Sequence, residues 1–130
     1  MKKAAVVFGA IVLATGIAGF VPALTPEGKL FGIFAVNGAH NIIHIATGVA
    51  AILCGMASDL AARRFFQIFG VVYLLTAILG IFHGDRPLLG MVAHNTADMI
   101  LHFAIAGFSL WMGFARHGAL PTHRGPGLAA

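Results

Sequence analysis

The sequence predicts an all-α fold: an integral membrane four-helix bundle built from two tandem parallel helical-hairpin repeats. Three observations predict it. Of the 130 residues, 59% are apolar and 9% charged. A soluble domain carries roughly 25% charged residues, so this surface suits lipid. Four apolar segments, residues 4–21, 36–57, 65–82 and 97–115, run 18 to 22 residues each, enough to cross about 30 Å of hydrocarbon. Finally, the chain repeats itself. FGIFAVNGAHNIIHIATGV, from Phe31, aligns without gaps on LGMVAHNTADMILHFAIAG, from Leu89, at an offset of 58 residues. Phe8, Gly9, Leu13, Thr15, Ile17 and Gly19 recur at an offset of 61 as Phe69, Gly70, Leu74, Thr76, Ile78 and Gly80.

Each element has its own justification. The first segment follows Lys2 and Lys3, a pattern shared with cleavable signal peptides. Its match to the third segment, which lies mid-chain, favours a true span. Pro22, Pro26 and Gly28 end it. Ser58, Asp59, Arg63 and Arg64 separate the second segment from the third, and Gly84, Asp85, Arg86 and Pro87 the third from the fourth. The domain reading is a transmembrane unit over 1–115, with repeats at 4–57 and 65–115. Residues 116–130, rich in Gly, Pro, His and Arg, read as a flexible cytoplasmic tail. His117 and His123 lie in it.

Basic residues set the orientation. Lys2, Lys3, Arg63, Arg64, Arg116 and Arg124 fall on one side, Lys29 and Arg86 on the other. Both termini are therefore expected in the cytoplasm. The net charge of +4 reads as topology. No basic patch interleaves with aromatics, so nucleic acid is not an expected partner. The single cysteine, Cys54, excludes an intramolecular disulfide. Helix association in lipid needs close backbone approach. Thr15 with Gly19, Thr76 with Gly80, Ala51 with Gly55, and Ser109 with Gly113 supply small residues four apart. The Phe side chains are expected to face lipid or pack between helices.

The scarce polar residues recur in pairs. Asn37 and Asn95 are placed to cap helices two and four, with His40 and Asp98 three residues later. Asn95 and Asp98 match a capping box. His44 and His102 lie roughly 10 Å deeper along each helix. Ionisable groups at that depth count as functional candidates, with cross-helix hydrogen bonding as the structural alternative. His40 and His44 share a helix face, as do Asp98 and His102. If helices two and four face each other, His40, His44, Asp98 and His102 suit zinc, iron or a similar divalent metal. His44 and His102 alone suit a haem, and Asp98 with a histidine suits a proton or quinone site. His83, His94 and Asn41 read as interfacial residues. No nucleophile–base pair, phosphate loop or acidic dyad occurs, so no enzymatic activity is expected.

NGAHNIIHIATG and NTADMILHFAIAG resemble a bacterial membrane family catalogued as domain of unknown function 4383, over nearly all of the chain to about Ala115. Its members are similar in having four spans, Asn-x-x-His-x-x-x-His in span two and Asp-x-x-x-His in span four. The resemblance implies a bacterial cytoplasmic (inner) membrane protein and points to Asn37, His40, His44, Asp98 and His102. It implies no reaction or ligand. Three functions are therefore expected to compete. One is a non-enzymatic accessory or structural subunit, in a larger membrane complex or a homo-oligomer and surrounded by lipid. The others are a metal- or haem-binding protein and a small transporter or proton relay.

Overall fold

The computed structural model describes residues 1–115, and the tail expected at 116–130 lies outside the described residues. Four helices, α1 (Lys2–Ala18), α2 (Gly38–Ala57), α3 (Asp59–His83) and α4 (Thr96–Phe114), form the bundle. The last three are long and apolar enough to cross a membrane. α1, at 17 residues, stops short of the expected end at residue 21. Phe20 and Val21 already form tighter turns onto Ile17 and Ala18, and Pro22 then opens a 3-10 turn.

α3 begins six residues earlier than the expected span at 65. A connecting loop was expected over 58–64, but the break is Ser58 alone. Its hydroxyl accepts the Ala61 N–H at 3.0 Å, and Leu60, Ala61, Ala62, Arg63 and Arg64 are good helix formers whatever their charge. The Lys2 N–H donates to Asp59 Oδ1 at 3.0 Å. This sets the starts of α1 and α3 side by side, so the hairpins run parallel.

α1 packs tightly on α2, and α3 on α4, with a slimmer contact between α2 and α3. The buried faces repeat residue for residue. Ala5, Gly9, Val12 and Gly16 on α1 correspond to Phe66, Gly70, Tyr73 and Ala77 on α3. His40, His44, Gly48, Ala51 and Gly55 on α2 correspond to Asp98, His102, Ala106, Ser109 and Gly113 on α4. Glycine makes the first crossing. A Cβ on Gly9 would meet the Gly48 carbonyl at 2.6 Å, and one on Gly55 would meet the Lys2 carbonyl at 2.8 Å. Thr15 and Thr76 are both half-buried. Their hydroxyls bond back to Ile11 (2.8 Å) and Val72 (2.9 Å) on their own helices, the usual local sink for a helical threonine.

The apolar core occupies the half of the bundle holding the chain start. Phe8 there meets Phe65, Phe66, Phe69 and Phe108 with ring centres 5.3–6.2 Å apart. The other half is closed by two small knuckles that the all-helical expectation missed. In the first, β1 (Lys29–Leu30) pairs antiparallel with β2 (Phe34–Ala35). In the second, Leu88 bridges Val92, the equivalent pair 58 residues on. Both turn through left-handed backbone, at Phe31 (φ 54°) and Gly32 (72°), and again at Leu89 (52°) and Gly90 (72°). Glycine adopts that conformation freely, whereas Phe and Leu do so rarely. Leu30 and Leu88 anchor the knuckles as buried plugs.

Candidate functional site

The polar residues gather beneath the knuckles. Asn37 Oδ1 accepts the His40 N–H at 2.9 Å and caps α2. Asn95 Oδ1 accepts the Asp98 N–H at 3.0 Å and caps α4. Each asparagine also reaches across the repeat boundary with its amide. Asn37 Nδ2 donates to the Met91 carbonyl at 2.9 Å, and Asn95 Nδ2 to the Ile33 carbonyl at 2.8 Å. Ile33 and Met91 are themselves repeat equivalents, so the exchange is symmetric.

Asp98 is engaged by two backbone amides. Its Oδ2 accepts the Asn95 N–H at 3.0 Å, completing the capping box, and the Ala35 N–H at 3.1 Å. The carboxylate thus ties α4 to the first knuckle. It still lines the cavity that His40, His44 and His102 share.

The histidines of α2 and α4 converge. One nitrogen from each of His40, His44 and His102 lies within 4.8 Å of the others, and this is the only such metal-capable group among the described residues. All three side chains are at most 8% exposed. Their hydrogen bonds define their tautomers. His40 Nδ1 must donate to the Ala35 carbonyl at 2.8 Å, since a carbonyl only accepts. In the neutral ring, Nε2 is then a lone pair, and its 3.0 Å contact with His44 Nε2 makes His44 the donor. That leaves His44 Nδ1 as a bare lone pair, and both it and His102 Nδ1 are buried without a hydrogen-bond partner. Tyr73 meets the His102 ring edge-on, centres 5.3 Å apart.

A cavity of about 200 Å³ opens beside the triad, walled by Leu30, Phe34, Asn41, Asp98 and the three histidines. A second, of about 250 Å³, touches His40 and His102 from the other side and is roofed by Leu88 and Val92. The two are pseudo-symmetric, each under one knuckle. His94 and Asn41, read from sequence as interfacial, are both 3% exposed. His94 Nδ1 donates to the Gly84 carbonyl at 2.9 Å, and its ring centre is 6.1 Å from that of His102. The sequence held one hint of this: His94 replaces Val36 within an otherwise apolar match. His83 bonds back to Leu79 at 3.0 Å at the end of α3.

No curated protein and no solved structure matches the chain. The family model described as domain of unknown function (DUF4383) matches residues 2–115, which is the whole bundle from the start of α1 to the end of α4. The chain belongs to this family.

Proposed function

We propose that this chain is a small, non-enzymatic membrane protein that binds one divalent transition-metal ion through His40, His44 and His102. The observation that carries this reading is three buried imidazoles with ring nitrogens within 4.8 Å of each other. The His40 Nδ1–H on a backbone carbonyl is the usual outer support of a metal-ligating histidine, and it aims Nε2 at the ion. Imidazole suits zinc, copper, iron and nickel.

At metal–nitrogen distances of about 2.0–2.1 Å, two ligands on one ion stand at most about 4.2 Å apart. At a tetrahedral angle the separation is about 3.4 Å, so from within 4.8 Å the widest pair would close by up to roughly 1.4 Å on binding. The ion would replace the His40–His44 hydrogen bond, with the His44 proton shifting from Nε2 to the unpartnered Nδ1, and the nearby Asp98 carboxylate would offset its charge. Size argues against haem between His44 and His102. The adjoining cavity of about 200 Å³ falls below the roughly 300–1,000 Å³ of ordinary small-molecule pockets. The His40 ring also stands close to both, its centre 4.8 Å from His44 and 6.1 Å from His102.

In this reading the protein is an accessory element of a bacterial cytoplasmic membrane. It holds or passes a metal, alone or beside a partner, with the knuckles facing outward. Titration of purified protein with Co²⁺ is expected to give the visible absorption of a low-symmetry cobalt–imidazole site, saturating at one ion per chain. The His44→Ala, His102→Ala double variant should lose that signal. A featureless titration of folded parent protein would overturn the proposal.

A further inference from the structure

We infer that His94 is a transfer ligand, handing the metal between a polar vestibule and the histidine triad. This rests on the triad being a metal site and adds a route to it. His94 is 3% exposed. Its Nδ1–H is held by the Gly84 carbonyl at 2.9 Å, so the neutral ring presents Nε2 as a lone pair. That nitrogen is buried with no hydrogen-bond partner. A buried acceptor left unpaired is uncommon and calls for a reason. Here the ring has the support typical of a metal ligand, and its unpartnered Nε2 is packed against Gly80 of α3.

Position supplies the second argument. His94 lines a cavity of about 350 Å³ with Asp85, Lys29, Asn95 and Thr96. This vestibule shares no histidine with the triad's cavity. On its other side His94 faces His102, ring centres 6.1 Å apart. A nitrogen lies about 1.1 Å from its ring centre, so two rings on one ion stand at most about 6.4 Å apart at zinc-like bond lengths. His94 and His102 are therefore within reach of a shared ion after ring rotation, while His94 stays outside the group of three. This is the geometry of a hand-off rather than a permanent fourth ligand. The route is one-sided, because the equivalent residue in the first repeat is Val36.

Gly80 offers a way to block the lone pair without removing the ring. A Cβ there would meet His94 Nε2 at 2.7 Å and Cε1 at 2.9 Å. The test is stopped-flow Co²⁺ uptake, and release to a chelator, by the full chain in lipid nanodiscs. Parent, His94→Gln and Gly80→Ala are compared, each first checked for parental helicity. Both variants should bind one Co²⁺ with the parental spectrum and affinity, but load and unload at least tenfold more slowly. Rates within twofold of the parent in either folded variant would overturn the hand-off, as would loss of the equilibrium spectrum in His94→Gln, which would mark a permanent ligand. Failure of the parent to bind Co²⁺ would remove the triad reading itself, a result separable from either of these.

Discussion

Asn37 serves two ends with one amide group. Its oxygen caps its own helix, and its nitrogen holds the other repeat's knuckle at Met91. The two roles can be separated. Asn37→Ala loses both and should cost about 1–2 kcal/mol for the cap alone. Asn37→Asp keeps a capping oxygen and loses only the donor. Amide hydrogen exchange should then quicken over residues 88–93, at the far repeat, while α2 stays protected. Unchanged exchange there would show that the crossing bond holds nothing. Both amides, of Ala35 and Asn95, already share Asp98 Oδ2, so Asp98→Asn keeps an acceptor for them and removes only its charge, and about 1 kcal/mol should be lost on thermal unfolding. The capping oxygens were legible in sequence, because an N-cap is a local event. The crossing amides and the pull of Ala35 on Asp98 were not, since they depend on residues more than 50 positions away.

Between elements, the decisive variable is how near two backbones come. A Cβ on Gly48 would meet the Leu13 nitrogen at 2.6 Å and the Gly9 carbonyl at 2.7 Å. Neither can yield without parting α1 from α2. Gly48→Ala should therefore destabilise the bundle by roughly 1–3 kcal/mol in a detergent-unfolding titration. Gly107, within α4, has nothing within 4 Å of an added Cβ. Gly107→Ala should gain about 0.5–1 kcal/mol from helix propensity. Equal effects from the two would refute close approach as the cause. Small residues in the sequence forecast that such contacts exist. They did not identify which ones meet, because the rotation of each helix is fixed by its partner. The knuckles escaped notice for another reason. Two-residue strands are too short for any periodicity to register, and left-handed Phe31 and Leu89 contradict their own propensities.

For the molecule as a whole, three structural ends collect at one pole. The amino terminus lies 3.3 Å from Asp59. Arg63 Nε and Gln67 Nε2 both donate to the Gly113 carbonyl at 2.9 Å, closing the last turn of α4. Lys2, Lys3, Arg63 and Arg64 share this pole, and Lys29 and Arg86 the opposite one. With Cys54 replaced by Ala, a cysteine at Leu60 should resist an impermeant thiol reagent added outside intact cells, and one at Gly28 should react. The reverse labelling would invert the topology. The four-helix plan and its doubling were readable beforehand because they are written in composition and recurrence. The position of His94 was not, because its value lies in what surrounds it. That asymmetry has a consequence. A homodimer of single hairpins would have to carry identical side chains on both flanks of its axis. A fused chain escapes that obligation: His40 can oppose Asp98, and Val36 can oppose His94. Linking two copies through Ser58 thus permits a centre with a front and a back, which strict twofold pairing forbids.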